Sequence, residues 1–186
     1  MANTLQGKKI AFLVANEGVE QVELTQPWRA VEEAGGQPQL VAPDAAKKVQ
    51  AFNHLDRADT FAVDLATSDA DPADFDGVVL PGGVANPDQL RTDRAAITFI
   101  QGIFQAKKPV AVICHGPWTL VEAGVLKGRT ITSWPSLQTD IRNAGGTWVD
   151  EEVHVDNGLV SSRRPDDLPA FCKQMVEEFA EGPHRR

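Results

Sequence analysis

The 186-residue chain predicts an α/β fold, a parallel sheet with helices on both faces. Three short runs carry the prediction: residues 9–15 (KIAFLVA), 76–80 (DGVVL) and 109–113 (PVAVI). Each is apolar at nearly every position, as a strand covered on both faces must be. Stretches with helical periodicity lie between them. At 42% hydrophobic residues the chain can bury a substantial core, and its length suits one domain over residues 1–186.

The elements follow in order. Residues 9–15 form the first strand and 16–20 a polar loop. Residues 21–34 form an amphipathic helix, because Leu24, Trp28 and Val31 are spaced by four and three. Pro27 kinks this helix or marks a restart, and Gly35-Gly36 ends it. Residues 39–42 are a second strand. Minor strands near 49–52 and 60–63 fall in an otherwise irregular stretch. Residues 76–80 run into Pro81-Gly82-Gly83, and a single long helix follows with Leu90, Ile97, Ile100, Ile103 and Phe104 inward. The strand at 109–113 ends at Cys114, and residues 117–123 form a helix stopped at Gly124. Short strands are expected at 130–132, 147–149 and 153–155, with helices near 137–144 and 167–179. His184-Arg185-Arg186 reads as a frayed tail. Sheets of this kind bind ligands beyond the carboxyl ends of their strands, which points to residues 16–20, 81–87 and 114–117.

Composition narrows the function classes. Acidic residues number 26 against 18 basic ones, a net charge of −8, which disfavours nucleic acid and anionic membrane surfaces as partners. No apolar run reaches the ~20 residues needed to span a bilayer. The first eight residues lack the apolar core of a secretory signal, so a cytoplasmic location is expected. Two cysteines make no disulfide framework. No Cys/His/Asp cluster has metal-ligand spacing, and neither the dinucleotide GxGxxG pattern nor a Walker loop is present, so no metal or cofactor is expected.

Chemistry concentrates at Cys114-His115-Gly116-Pro117. A strand, one nucleophilic residue and a helix make a nucleophile elbow, whose sharp turn lifts the side chain out of the sheet. The start of the following helix is expected to stabilise a thiolate at Cys114, and Gly116 to permit close approach. His115 is the expected general acid/base. Gly82 and Gly83, after a buried strand, can offer backbone N–H groups to an oxyanion. A carboxyl near Cys114 with a raised pKa could hold a proton against the sulfur, and local sequence alone does not rank Glu17, Glu20 and Glu23 for that place.

With these residues in view the chain resembles the PfpI/ThiJ family of cysteine-dependent proteins, in its bacterial general-stress and intracellular-protease-like branch. The resemblance rests on KIAFLVANEGVEQVEL, DGVVLPGG, AVICHGPWTLVEAGVLKGRTIT and SSRRPDDLPAF, which keep the family's order over nearly the whole chain. It implies a flavodoxin-like three-layer sandwich with a mostly parallel central sheet. It also implies Cys114 as nucleophile and His115 as its partner. Matching Val22-Glu23-Leu24 to the family's triplet puts the sulfur-contacting carboxyl at Glu20, and the N–H groups of Gly83 and His115 at the oxyanion. In PfpI-type oligomers a neighbouring subunit's carboxylate completes a Cys-His-Glu triad, and that position falls here at Asp88. Homodimers, or hexamers, are therefore expected.

The resemblance implies glyoxalase- or deglycase-like activity on small carbonyl compounds, or weak peptidase activity on peptide or protein substrates. Two alternatives are a redox-sensing stress protein whose Cys114 stops at the sulfinate, and a chaperone. Related amidotransferases use a His-x-Glu near the C-terminus. His154-Val155-Asp156 is the nearest match here and reads instead as a strand histidine. Cys172, with Phe171, Met175 and Phe179, reads as a packing residue. His54 is a weak candidate over the site, and Trp118 is expected to pack behind the elbow.

Overall fold

A computed structural model describes residues 4–183, so the His184–Arg186 tail lies outside the described residues. The first half runs β1 (Lys9–Leu13), β2 (Glu17–Glu20), α1 (Gln21–Glu33), β3 (Gln37–Ala42), β4 (Val49–Asn53), β5 (Asp56–Phe61), β6 (Leu65–Ala66) and β7 (Gly77–Leu80). The second half runs α2 (Ala85–Leu90), α3 (Arg94–Gln105), β8 (Val110–Ile113), α4 (Pro117–Ala123), β9 (Thr130–Ile131), α5 (Gln138–Asn143), β10 (Thr147–Trp148), β11 (Val153–Asp156), β12 (Leu159–Ser162) and α6 (Leu168–Glu181). The central sheet has seven strands in the order β11-β12-β8-β7-β1-β3-β6, and only the β11–β12 pairing is antiparallel. The fold is the flavodoxin-like three-layer sandwich.

Strand alternation builds the two helical layers. Ile10 and Phe12 of β1 face one side, where Leu24 and Val31 of α1 and Phe171, Met175 and Phe179 of α6 cover them. Ala11 and Leu13 face the other side, against Ile100 and Ile103 of α3 and Leu120 of α4. The buried strands have no polar face because each side carries a helix layer. Among the described residues no helix is long and apolar enough to cross a membrane.

Four elements differ from the expectation. Residues 17–20 are a strand, not a loop, and pair in parallel with β4 in a second sheet, β2-β4-β5. Pro27 lies within one continuous helix. The helix after Gly83 is two helices, since Asp93 accepts the Ala95 N–H at 2.9 Å and caps α3 anew. β12 was not anticipated, although all four of its residues are buried and it neighbours β8.

Two serines in β12 explain its low apolar signal, and both are bonded. Ser161 Oγ accepts the Thr132 N–H at 3.0 Å, and Ser162 Oγ donates to the Glu152 carbonyl. Removing the first hydroxyl leaves a buried N–H unpaired. Ser161→Ala is expected to lower unfolding free energy by about 1–3 kcal/mol in chemical denaturation; an unchanged midpoint would show that β9 is not tied to the sheet through this bond.

Candidate functional site

The elbow is built as the sequence predicts, with a different electrostatic setting. Cys114 follows β8 in the left-handed backbone region, at φ 63°. A non-glycine residue there is strained and must be held by its surroundings. The Cys114 N–H donates to the Ser162 carbonyl at 3.1 Å, and the Cys114 carbonyl accepts the Trp134 N–H at 2.9 Å. The Gly116 N–H turns back to the Ile113 carbonyl at 3.0 Å. A side chain at Gly116 would put its Cβ 2.6 Å from the Leu80 carbonyl oxygen. Gly116 therefore serves close packing of helix against strand ends, and its N–H is not available to an oxyanion.

The sulfur-contacting carboxyl is Glu23, which corrects the assignment to Glu20. Glu23 is fully buried in the first turn of α1, on the inward face it shares with Pro27 and Val31. Its Oε2 accepts the Gly82 N–H at 2.8 Å, its Oε1 is buried without a hydrogen-bond partner, and the carboxyl lies beside Cys114 across Gly82. Gly82 is likewise not an oxyanion donor, because that N–H is spent on Glu23. A Cβ at Gly82 would sit 2.5 Å from Glu23 Oε2 and 2.7 Å from Cys114 Cβ, so only glycine lets these groups meet. Glu20 instead accepts the His54 N–H on Oε2 at 3.0 Å and lines the mouth of the cleft. Buried Asn86, not singled out by any motif, clamps the loop: its Oδ1 accepts the Ala15 N–H at 2.7 Å, and its Nδ2 donates to the carbonyls of Pro81 and Gly82 at 3.0 Å each.

Burial controls protonation. It raises Glu23 to about 8, against the pull of the Gly82 N–H, so this carboxyl is protonated at neutral pH. Burial also pushes the Cys114 thiol up, an ionised Glu23 would push it further, and the N–H groups of Gly83 and His115 pull it down. The thiol thus keeps its proton in the resting site, contrary to the expected helix-stabilised thiolate. The first N–H groups of α4 do not serve the sulfur: those of Trp118 and Thr119 donate to the carbonyls of His115 and Gly116. His115 is lowered to about 4 by burial and is neutral at pH 7. Its Nδ1 lies 3.2 Å from Cys114 Sγ and, in the tautomer protonated on Nε2, accepts the thiol hydrogen. The ring is fixed by stacking on Trp134 (5.7 Å, 24°) and by an edge contact with Trp118 (5.2 Å), whose Nε1 donates to Asp140 at 2.8 Å.

Cys114 and His115 open on a cleft of about 790 Å³. Phe52, Leu55, Val84 and Trp134 make it largely apolar, and Glu17, Glu20, Glu23 and Asp88 also line it. Within the subunit Asp88 is exposed at the cleft and pairs with Arg91 at 2.8 Å, not with His115. His154 pairs with Glu151 at 2.7 Å and does not line the cleft. Cys172 packs against the α1–α6 layer, and burial pushes its thiol up to about 12.

Comparison with known proteins gives the family. Residues 8–178 match the DJ-1/PfpI family. The chain belongs to that family. It is 42% identical over 169 residues to the protein named Deglycase PfpI of Pyrococcus furiosus, covering 91% of this chain and 98% of that one. It is 41% identical over 169 residues to YraA of Bacillus subtilis, covering 91% and 96%; the name of YraA carries a provisional cysteine-protease assignment. A two-domain DJ-1/ThiJ/PfpI-like and ferritin-like protein of Anabaena variabilis superposes with a TM-score of 0.86 at 31% identity. That match covers 91% of this chain and 47% of the other, so the chain spans about half of the two-domain protein. Drosophila melanogaster DJ-1beta has the same fold, with a TM-score of 0.83 at 24% identity over 97% of this chain and 91% of that one.

The Glu23 proton makes stability depend on pH. The folded protein keeps a proton up to about pH 8 that an unfolded glutamate releases near 4.5. Its contribution is full below 4.5 and is lost as pH rises through 8. His115, lowered from 6.5, acts in the opposite sense only below about 6.5. Between pH 6.5 and 8 the Glu23 contribution is therefore not offset by His115. Over that interval the protein is expected to lose roughly 2 kcal/mol of unfolding free energy, whereas Glu23→Gln loses little. Parallel slopes for the two proteins would contradict the buried proton.

Proposed function

We propose that the chain is a cysteine-dependent enzyme acting on small carbonyl compounds, converting 2-oxoaldehydes to 2-hydroxy acids and releasing such aldehydes from adducts with amines. The observation that carries this reading is the 3.2 Å contact between Cys114 Sγ and a neutral His115, beside two inward N–H groups and a protonated carboxyl in an apolar cleft. The deglycase names of its relatives support it.

His115 Nδ1 takes the thiol proton as the sulfur bonds to the aldehyde carbon. The carbonyl electrons move to oxygen, beside the N–H groups of Gly83 and His115, and the oxygen takes the proton back as a hemithioacetal forms. For a 2-oxoaldehyde, His115 then removes the hydrogen of the former aldehyde carbon as a proton, the former ketone oxygen takes up a proton to give an enediol, and a proton delivered to the former ketone carbon as the hemithioacetal hydroxyl loses its own gives the thioester of a 2-hydroxy acid. Water adds to the thioester, the C–S bond breaks, and the thiol regains its proton. The sum is aldehyde plus water to hydroxy acid, so no external redox partner is consumed.

Protonated Glu23 has two uses in this scheme. It can donate a hydrogen bond to the sulfur without adding charge, and it gives the same support to a sulfinate, which keeps the redox-sensing reading as the alternative. Asp88 is proposed to approach His115 of a second copy across a homo-oligomer interface.

Three outcomes are expected. Cys114→Ser should form no lactate from methylglyoxal above background; turnover by that variant would exclude the nucleophile. For the wild type, kcat/KM should rise through about pH 4 and fall through about 8 as Glu23 ionises, with Glu23→Gln losing the upper limb. If subunits share the site, specific activity should drop on dilution together with the sedimentation coefficient, and Asp88→Asn should be impaired at every concentration. Full activity of a monomer would remove Asp88 from the mechanism.

A further inference from the structure

A second hollow of about 490 Å³ adjoins the cleft and shares Glu20, His54, Trp134 and Pro165 with it. The cleft at Cys114 and this side chamber therefore meet at these four residues, with Trp134 lining both. Three charged side chains line that chamber without charged partners among the described residues, and two of them, Glu20 and Arg164, are not exposed.

Glu20 is the first. It is 9% exposed, its Oε2 accepts only a backbone N–H, and no lysine or arginine pairs with it. Arg164 is the second. It is the one lysine or arginine among the described residues lining either hollow. Its Nε is buried and has no hydrogen-bond partner, and no carboxylate pairs with its guanidinium. A buried guanidinium nitrogen without an acceptor is rare enough to require an explanation.

The local chain accounts for where Arg164 goes. Arg164 is fully extended (φ −162°, ψ 170°), as the residue before a proline favours. Successive side chains of an extended chain point to opposite sides. Arg163 is committed to one side: its Nε and Nη2 donate to Asp167 at 2.8 and 3.1 Å, and its Nη1 to Asp150 at 2.7 Å. Arg164 is left facing the chamber. Glu20 and Arg164 line the same hollow, yet they form no ion pair within 4.0 Å. Asp166 also lines it, exposed at its edge.

We infer that this side chamber is a subsite for a zwitterion, the amino-acid part of a carbonyl–amine adduct, with its nitrogen toward Glu20 and its carboxylate toward Arg164. A guanidinium offers a carboxylate paired donors, and a carboxylate with a free oxygen suits an ammonium or the protonated nitrogen of an adduct. Such a ligand satisfies both charges at once, and its carbonyl end reaches back past Trp134 toward Cys114. This assignment of substrate class rests on the carbonyl chemistry proposed for Cys114, whereas the binding site itself does not require turnover.

The probe is L-alanine, and the first readout is the rate at which iodoacetamide alkylates Cys114, which needs no catalysis. L-Alanine should slow alkylation at least fivefold at saturation. L-Alaninamide lacks the carboxylate and propionate lacks the ammonium, so each should need at least ten times the concentration. Arg164→Met and Glu20→Gln should abolish the protection by L-alanine, and Arg164→Lys should restore part of it. Equal protection by all three small molecules, or none by L-alanine, would overturn the subsite, and these arms use the unaltered protein. The second readout is the ratio of kcat/KM for the methylglyoxal adduct of L-alanine to that for methylglyoxal, expected to fall at least tenfold in Arg164→Met. An unchanged ratio in an active, folded variant would also overturn it. Protection by L-alanine in a protein that turns over no carbonyl would instead uphold the subsite and sink the proposed reaction.

Discussion

The fully buried Glu23 carboxyl meets the Cys114 thiol, and the rest of the site is arranged around that contact. Three backbone choices make it possible. Gly82 has no Cβ, so the loop after β7 can lie against both groups and give its N–H to the carboxyl. Cys114 takes a left-handed conformation, which turns its sulfur out of β8. The first turn of α1 points Glu23 inward, on the face that buries Pro27 and Val31. A bulkier residue at 82 or a relaxed backbone at 114 would separate the pair.

Burial determines how protons are distributed across the constellation. Desolvation disfavours each charged form, so it raises Glu23 and Cys114 and lowers His115. The resting site is consequently uncharged: a carboxylic acid, a thiol and a neutral imidazole. In the proposed reaction, charge appears only when the thiol proton moves to His115, and the N–H groups of Gly83 and His115 lie beside the sulfur where negative charge would begin. Preorganised donors of this kind need no rearrangement when the reaction starts. Of the other carboxylates lining the cleft, Glu17 and Asp88 are the more exposed, and Glu20 is buried where the cleft meets the side chamber.

Much of this could be read from the residues. Apolar runs identified β1, β7 and β8, and the position of Cys114 at a strand end before His-Gly-Pro identified the elbow. What escaped has physical reasons. β12 hides two serines behind specific hydrogen bonds, so its polarity looks like that of a loop. The strand Glu17–Glu20 is charged because it belongs to a small second sheet, where alternation is weak. Glu20 and Glu23 are both carboxylates near the start of α1, and choosing between them needs the helix phase: Glu23 precedes Pro27 and Val31 by four and eight residues, which puts it on the inward face. That spacing was available in the sequence and would have selected Glu23. The protonation states were not available, because they depend on how completely both layers exclude water.

The most direct measurement is an infrared difference spectrum between the protein and Glu23→Gln, recorded across the pH range. A protonated-carboxyl C=O band belonging to Glu23 should be present at pH 7 and disappear with a midpoint near 8. If the band is missing at pH 7, or titrates with the ordinary exposed carboxylates, the uncharged resting site described here is contradicted.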